Sequence, residues 1–279
     1  MSGLQVDATK TRAAPRRVAI VTGGGTGIGA AIAARLSAAG TAVAIVGRRP
    51  DRLAGCSSAI TAGGGECLAL SEDLADPRSA KRIVKRVTDV WGRIDILVNN
   101  AAYIRNLPLA EITVEELDLH YRTNLRAPIL LSQEALPWLR ASGSGAIVNI
   151  SSSSAQLQIP TQTMYASLKA GLEEATRILA AELAPVGVRV NCIAPGPVDT
   201  EIHLLWAKDL ETARIALKDA VPLGHIGQPD DIARWVDYLS RADETFITGA
   251  IIAVDGGQTL NGWKSSIGDA AATEETTVS

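Results

Sequence analysis

Residues 18–36 read VAIVTGGGTGIGAAIAARL, and the order of residue types in this stretch indicates how the chain begins to fold. A β-branched apolar run, a glycine-rich turn and an amphipathic segment ending at Gly40 predict a strand, a tight loop and a helix. Gly23 permits a sharp exit from the strand, Gly27 lets a pyrophosphate approach the backbone, and Gly29 removes a Cβ where helix meets strand. The helix N-terminus supplies N–H groups and a positive dipole, so the loop is a candidate dinucleotide site. An ordinary glycine-rich turn is the alternative, since the spacing GxxxGxG differs from the common GxGxxG fingerprint.

The rest of the chain repeats this alternation of short apolar runs and amphipathic stretches. Strands are predicted at 17–21, 42–46, 67–70, 94–98, 146–150, 188–193 and 251–254, and helices near 27–39, 50–62, 76–91, 113–141, 163–184 and 229–240. Apolar strands separated by crossover-length helices predict a doubly wound α/β fold, with a parallel sheet covered on both faces. Right-handed crossovers place the strand-to-helix loops at the carboxyl edge of the sheet, where ligands bind. We expect a single domain over residues 17–260, between flexible tails at 1–16 and 261–279.

The composition argues against several classes of protein. The formal net charge is -3 and there is no long run of basic residues, so nucleic acid is not an expected partner. Three cysteines without a CxxC spacing argue against a disulfide framework and a structural zinc site. No apolar run reaches the roughly 18 residues of a membrane span, and the N-terminus lacks the apolar region of a secretory signal. We therefore expect a soluble, cytoplasmic protein whose ligand is a small molecule.

The end of the second predicted strand indicates which dinucleotide is bound. Gly47-Arg48-Arg49 occurs where an NAD site would usually have an acid for the adenosine ribose hydroxyls. Arg48, assisted by Arg49, can pair with a 2′-phosphate through charge-assisted hydrogen bonds, which favours NADP(H) over NAD(H). Alternatively, these arginines are solvated loop residues with Asp51 as a partner. Asp73, after the third strand, is a candidate acceptor for the adenine amino group or an acid in the N-cap region of the next helix.

Tyr165 and Lys169 lie four residues apart in YASLK and so share one face of a predicted helix. Tyrosine has a pKa of about 10. A neighbouring ammonium lowers that pKa by favouring the phenolate, which suits the pair to proton exchange near neutral pH. Ser152, at the end of the preceding strand, is placed to hydrogen-bond a substrate oxygen in the same space. Taken alone, a tyrosine and a lysine at this spacing are more often a half-exposed surface pair.

Several motifs together resemble those of one family. TGGGTGIG at 22–29, NNAA at 99–102, YRTNL at 121–125, Ser152, YASLK and NCIAPGPVDT occur in the order found in short-chain dehydrogenases/reductases of the 3-oxoacyl-(acyl carrier protein) reductase type, over about residues 17–258. The resemblance implies a Rossmann-type sheet of seven parallel strands and a catalytic tetrad of Asn124, Ser152, Tyr165 and Lys169. In that family the tyrosine is the general acid or base, and the serine polarises the carbonyl. The lysine binds the nicotinamide ribose and lowers the tyrosine's pKa, and the asparagine holds a proton-relay water.

The resemblance also implies which residues line the cofactor. The expected cofactor-binding set is Gly23, Thr26, Gly27, Ile28, Gly29, Arg48, Arg49, Asp73, Leu74, Asn99, Ala101, Tyr165, Lys169, Pro195, Gly196, Val198 and Thr200. The chain departs from the family pattern twice: NNAA replaces the more usual NNAG, and Thr26 stands where many NADP-dependent members have a basic residue. Phosphate selectivity is therefore left to Arg48 and Arg49. Members commonly form homotetramers or homodimers through the helices corresponding to 113–141 and 163–184 and the C-terminal strand.

The substrate is less well indicated by the sequence. Residues 201–225 are expected to form a helical lid that moves on binding. The candidate lining residues are Tyr103, Ser154, Gln156, Gln158, Met164, Leu205 and Trp206. His203 and His225 are interpreted as structural, and no metal site is expected.

The sequence therefore predicts an NADPH-dependent oxidoreductase, a ketoreductase that reduces a ketone or aldehyde to an alcohol or catalyses the reverse reaction, with Tyr165 as the general acid or base. One alternative is an epimerase or dehydratase on the same fold that uses the cofactor transiently. Another is a nucleotide-binding protein without catalysis.

Overall fold

The centre of the molecule is one parallel sheet, seen in a computed structural model that describes residues 17–205 and 207–260. Its strands are β1 (Arg17–Thr22), β2 (Thr41–Gly47), β3 (Cys67–Ser71), β4 (Ile96–Asn99), β5 (Ala146–Ile150), β6 (Arg189–Pro195) and β7 (Ile251–Val254). The spatial order is β3-β2-β1-β4-β5-β6-β7, so the winding reverses between β1 and β4. This sheet confirms the predicted fold class. The two predicted tails, 1–16 and 261–279, and Trp206 lie outside the described residues.

Helices cover both faces of the sheet. They are α1 (Gly27–Ala38), α2 (Pro50–Ala62), α3 (Ser79–Trp91), α4 (Val114–Tyr121), α5 (Ala127–Ala141), α6 (Thr163–Leu183), α7 (Leu210–Lys218) and α8 (Pro229–Ser240). Within the described residues, none of these helices is long and apolar enough to cross a membrane.

Successive side chains of β1 pack into two different hydrophobic cores, one on each face of the sheet, because side chains alternate across a strand. Val18 and Ile20 pack in a core with residues of α3, α5 and α6, whereas Ala19 and Val21 pack in a second core with residues of α1, α2 and α8. All four side chains are buried. A strand that is buried on both faces needs an uninterrupted apolar run, and this is the pattern from which the sequence predicted a parallel sheet.

The single helix predicted near 113–141 is instead two helices, α4 and α5, joined by a π-helical turn at Arg122–Arg126. In this turn the N–H of Ala127 bonds the carbonyl of Arg122, five residues earlier. Pro128, in the first turn of α5, has no N–H to give to the carbonyl of Asn124, four residues earlier. The proline therefore supplies a physical reason for the interruption, which lies at the candidate catalytic asparagine.

The segment predicted to form a lid is partly helical. It contains a short 3₁₀-helical turn at Glu201–Leu205 and then α7, whose N-cap Asp209 accepts a hydrogen bond from the N–H of Thr212. Both lie after β6, at the carboxyl edge of the sheet, and the helical content agrees with the expectation.

Candidate active site

The loop between β1 and α1 forms a backbone cradle. Gly23 and Gly27 have φ values of 65° and 52°, in the left-handed region that glycine adopts without strain. A Cβ on Gly29 would lie 2.1 Å from the carbonyl oxygen of Gly23, so no side chain fits there. Thr26 is the N-cap residue of α1 and its side chain makes no capping hydrogen bond. The cradle and the N–H groups at the start of α1 therefore fit a dinucleotide pyrophosphate.

The loop after β4 closes the cradle through a different asparagine from the one expected. Asn99 is 3% exposed, and its Nδ2 donates to Oδ1 of Asn149 at 2.9 Å inside the domain. Its side chain therefore points into the domain, so a contact with the cofactor at this position would have to come from the backbone, and the assignment stays a prediction. Asn100, on the opposite side of the strand, donates to the carbonyl of Thr22 at 2.8 Å, and the N–H of Ala101 bonds Oγ1 of Thr22 at 3.0 Å. The first residues of the loop after β4 are therefore bonded to the end of β1.

Two arginines border the cradle at the end of β2. Arg48 and Arg49 are exposed, and neither is in an ion pair within the described residues. Arg49 donates from Nη2 to Oγ1 of Thr26 at 3.3 Å. Its guanidinium therefore lies next to position 26, where many NADP-dependent members of the family have a basic residue. Asp51, considered as a partner for them, lies instead 3.9 Å from Arg52. The pair is thus available to an anionic ligand.

Asp73 lies in the loop after β3, six residues before α3 begins at Ser79, so it is not an N-cap acid of that helix. Its Oδ1 accepts from the N–H of Ala75 at 2.9 Å, and its side chain is exposed. Leu74 is partly buried and packs against the core. The exposed carboxylate is consistent with a contact to the adenine, which stays a prediction.

The end of β5 and the first turns of α6 bring Ser152, Tyr165 and Lys169 together. The Ser152 hydroxyl accepts from the N–H of Ser154 at 3.1 Å and hydrogen-bonds the Tyr165 side chain. Lys169 donates from Nζ to the carbonyl of Ile150 at 2.7 Å, and Nζ lies 5.6 Å from the centre of the Tyr165 ring. Tyr165 is 8% exposed and Lys169 is 1% exposed. Tyr165 and Lys169 are therefore buried under the carboxyl edge, and the partly exposed Ser152 lies beside them.

Burial perturbs the proton affinities of this group. It raises the pKa of Tyr165 to about 12, although the hydrogen bond from Ser152 acts in the opposite direction. It lowers the pKa of Lys169 to about 8 because the ammonium is removed from water. The sequence predicted that the lysine would lower the tyrosine's pKa. In this structure the desolvation of the phenolate raises the tyrosine's pKa instead.

Asn124 is fully buried and is bound to the loop after β4. Its Oδ1 accepts from the N–H of Tyr103 at 2.9 Å, and its Nδ2 donates to the Tyr103 carbonyl at 2.7 Å. The side chain therefore acts as a clamp on that loop. A water-holding role would fall to its backbone carbonyl in the π-helical turn, to which Pro128 cannot donate.

Glu116 and His120 on α4 support the same loop, and the sequence analysis missed both. The Tyr103 hydroxyl donates to Oε2 of Glu116 at 3.1 Å, and Arg105 pairs with the other oxygen. The fully buried His120 accepts at Nε2 from the N–H of Arg105 and donates from Nδ1 to the Glu116 carbonyl. Their i,i+4 spacing on α4 was the available signal, but only the fold places the loop against it.

The PGP loop after β6 fits closely around its neighbours. A Cβ on Gly196 would lie 2.6 Å from Cα of Asp255, and a Cβ on Gly27 would lie 3.1 Å from Cγ2 of Thr200. Thr200 therefore packs against the phosphate loop. Val198 is buried and forms an isolated bridge with Gly227. Pro195 is the last residue of β6, and Ile28, in the first turn of α1, packs against the core.

The candidate substrate-lining residues divide by exposure. Gln156, Gln158 and Leu205 are exposed, and Tyr103 is partly exposed. Ser154 and Met164 are 7% and 2% exposed, so they present little surface to a cleft. Met164 immediately precedes Tyr165, and adjacent helical residues do not share a face.

The histidines after β6 bond to backbone carbonyls, as the structural interpretation requires. His203 Nε2 lies 2.8 Å from the carbonyl oxygen of Val198, and burial lowers its pKa. His225 Nδ1 lies 3.1 Å from the carbonyl oxygen of Ile226. Across 17–205 and 207–260, no group of three His, Cys, Asp or Glu side chains is arranged to hold a metal ion.

Comparison with known proteins gives the family. Residues 23–259 match the family model described as enoyl-(acyl carrier protein) reductase. A relative, 4-formylbenzenesulfonate dehydrogenase of Comamonas testosteroni, is 35% identical over 88% of this chain and 98% of its own length. The crystal structure of a short-chain dehydrogenase/reductase from Serratia marcescens is 35% identical, with a TM-score of 0.82 over 89% of this chain and 100% of that one. The chain belongs to the short-chain dehydrogenase/reductase family.

A second solved structure bears on the cofactor. The blue fluorescent protein from a metagenomic library, solved in complex with NADPH, is 33% identical, with a TM-score of 0.81 over 88% of this chain and 98% of that one. The family binds a nicotinamide cofactor and acts on small molecules, so this chain is an oxidoreductase. The glycine cradle described above fits such a cofactor.

Proposed function

We propose that this protein is an NADPH-dependent reductase that converts a ketone or aldehyde to an alcohol, with Tyr165 as the general acid. The carrying observation is the buried phenol of Tyr165, hydrogen-bonded to Ser152 and flanked by Lys169. A pKa of about 12 keeps this phenol protonated at neutral pH. A protonated donor is what the reductive direction needs, since the carbonyl oxygen gains a proton as it becomes an alcohol.

The choice of NADPH is supported by the rim of the cradle. Arg48 and Arg49 are exposed cations without acidic partners in the described part of the chain, and Arg49 reaches Thr26. Guanidinium groups pair with phosphate through charge-assisted hydrogen bonds, which an adenosine 2′-phosphate would provide. A bound nicotinamide supplies the hydride.

Each residue of the tetrad then has a distinct task. Ser152 hydrogen-bonds the substrate oxygen and favours its developing negative charge. Tyr165 donates its proton to that oxygen. Lys169, on the same face of α6, holds a positive charge below about pH 8 and so favours the phenolate left behind. Asn124 fixes the loop after β4 through Tyr103 and so shapes the wall of the site.

The proposal is tested by mixing the purified protein with NADPH and a panel of ketones and aldehydes that includes 3-oxoacyl thioesters. Absorbance of the reduced nicotinamide should fall, and Tyr165→Phe should lower kcat by about 10²- to 10⁴-fold, the usual contribution of a positioned proton donor. Tyr238→Phe, a change to an exposed tyrosine on α8, should leave kcat unchanged. Turnover that survives Tyr165→Phe would exclude the tyrosine as the acid.

The same assay separates the alternatives. An epimerase or dehydratase would convert substrate with no net loss of NADPH. A nucleotide-binding protein would bind NADPH tightly and turn over no substrate. No feature of the described residues favours either over reduction.

We also propose that the protein acts in the cytoplasm as a homotetramer or homodimer. Several large apolar side chains are exposed: Val114 and Leu117 on α4, Trp235 on α8, and Phe246 in the loop after α8. Phe246 is 97% exposed, which is unfavourable in water unless another surface covers it. Light scattering on the purified protein measures the assembly, and cell fractionation measures the compartment.

A further inference from the structure

An ion pair connects α2 to the loop after β6. Arg52, in the first turn of α2, has Nη1 3.2 Å from Oε1 of Glu201, and each side chain is 46% exposed. Asp51 is a second and more distant acidic neighbour, 3.9 Å from Nε of Arg52. We propose that Arg52 binds a phosphate group of the cofactor and that Glu201 competes with that phosphate for the guanidinium. This inference rests on the proposed use of a nicotinamide dinucleotide.

Both ends of the ion pair border the phosphate cradle. A Cβ on Gly25 would lie 3.3 Å from the carbonyl carbon of Arg52, so the start of α2 packs against the glycine loop. Thr200 packs against Gly27 on the same loop, and Glu201 is the next residue in the chain. The pair therefore connects the two segments that border the cradle.

An acidic partner distinguishes Arg52 from Arg48 and Arg49 on the rim of the cradle. Arg48 and Arg49 have no acidic partner in the described ranges, whereas Arg52 has the Glu201 carboxylate in hydrogen-bond range. A carboxylate and a phosphate offer a guanidinium the same kind of charge-assisted pairing, so a bound phosphate can replace Glu201 with little loss. Once displaced, Glu201 is repelled by the phosphate. The first turn of the lid is thereby coupled to cofactor binding.

Equilibrium binding tests the coupling without any substrate. The Kd for NADPH, measured by nicotinamide fluorescence at low salt, should fall about 2- to 5-fold in Glu201→Gln, the size measured for exposed ion pairs. Arg52→Gln should raise the Kd by about 10-fold or more, as expected for the loss of a charge-assisted hydrogen bond. In the Arg52→Gln background, Glu201→Gln should have no further effect, because no guanidinium remains to compete for.

Glu211→Gln is the matched control. Glu211 is an exposed carboxylate of the same lid, but it lies 3.3 Å from Arg214 rather than near Arg52. Its loss changes the net charge equally and should leave the Kd unchanged. The proposal is overturned if Glu201→Gln leaves binding unchanged or weaker, if Glu211→Gln tightens it equally, or if tightening persists without Arg52.

Parallel titrations with NADH identify which phosphate is bound. Equal weakening of NADPH and NADH by Arg52→Gln assigns the pyrophosphate, and weakening of NADPH alone assigns the 2′-phosphate. The proposed carbonyl reduction and the proposed coupling between Arg52 and Glu201 are tested independently. If no carbonyl compound reacts, the proposed reaction is excluded and the binding coupling stands. Identical binding by wild type and Glu201→Gln excludes the coupling alone.

Discussion

The catalytic half and the lid half of the candidate site are held in place by different forces. In the catalytic half, at the ends of β1, β4 and β5, Lys169 is 1% exposed, Asn124 is fully buried, and polar groups pair inside the domain. In the lid half, residues 201–205 and 207–218, Leu205 is 68% exposed and Ile215 is 65% exposed, and α7 is attached to the loop after β6 by the ion pair between Arg214 and Asp199. Buried groups cannot move without breaking the core, whereas a segment with few buried contacts can open locally. We infer that the first half fixes the chemistry and the second half admits the ligand.

The largest effect should come from the most crowded position of the catalytic half. Gly29→Ala places a Cβ 2.1 Å from the Gly23 carbonyl oxygen and must displace the loop. NADPH binding, measured by calorimetry, should weaken by about 100-fold, the size of loss that a displacement of about 1 Å can produce. Gly55→Ala in α2, where nothing lies within 4 Å of the added Cβ, should instead raise stability by about 0.5–1 kcal/mol. Wild-type binding by Gly29→Ala would show that the cradle tolerates a side chain.

The buried lysine gives a pH-dependent test of the same half. Burial lowers the pKa of Lys169 to about 8 from the ordinary value of 10.5, so between these values the unfolded chain binds more protons than the folded one. The free energy of unfolding of the wild type should therefore rise with pH across this window. Below pH 8 the buried ammonium costs on the order of 3 kcal/mol, at about 1.4 kcal/mol per pKa unit.

Urea denaturation at pH 7 and pH 9.5 measures this effect. Lys169→Met should gain stability relative to the wild type at pH 7, and the gain should shrink at pH 9.5. Lys85→Met, at an exposed lysine paired with Asp89, serves as the control and should show no such pH dependence. An equal difference at both pH values would mean that Lys169 is not destabilised by burial.

A smaller effect is expected at the π-helical turn. Pro128→Ala supplies an N–H that can bond the Asn124 carbonyl and convert the turn to a regular α-helix. The value of kcat should fall by about 10-fold, part of the 10²- to 10⁴-fold contribution of positioned proton transfer, with the Kd for NADPH unchanged. Pro137→Ala, in the same helix but away from the turn, is the control. Full activity of Pro128→Ala would show that the π-helical turn does not contribute to catalysis.

The smallest effect should come from the lid half. Arg214 donates from Nε and Nη2 to Oδ2 of Asp199, which ties α7 to the loop after β6. Arg214→Gln should raise KM about 2- to 5-fold and change the free energy of unfolding by less than about 0.5 kcal/mol, as expected for an exposed ion pair. Steady-state kinetics and urea denaturation measure the two, with Arg177→Gln on α6 as the control. A large loss of stability would show that the lid is part of the core.

Local sequence patterns were enough to predict the fold class and the residue types of the candidate catalytic site. Apolar runs and glycine spacing predicted the strands and the cradle because both depend on neighbours in sequence. The pairing of Tyr165 with Lys169 followed from helical spacing, and the structure places both near Ser152. The roles of these residues stay predictions.

Other features could not be read locally because they depend on groups far apart in the chain. The Asn99 side chain bonds Asn149 inside the domain, whereas the Asn100 side chain bonds the Thr22 carbonyl beside the cradle. Pro128 divides a helix that the apolar pattern made continuous. The pKa of Tyr165 is set by how completely the fold excludes water from it.

Periodicity and glycine spacing in the sequence predicted a parallel sheet with a dinucleotide cradle, and the chemistry of the side chains predicted a proton-transferring site. The direction of the Tyr165 pKa shift, the clamp of Asn124 on Tyr103 and the Arg52–Glu201 pair across the cradle depend on the three-dimensional structure. The physical reason is that desolvation and ion pairing depend on distances through space, which the order of residues does not specify.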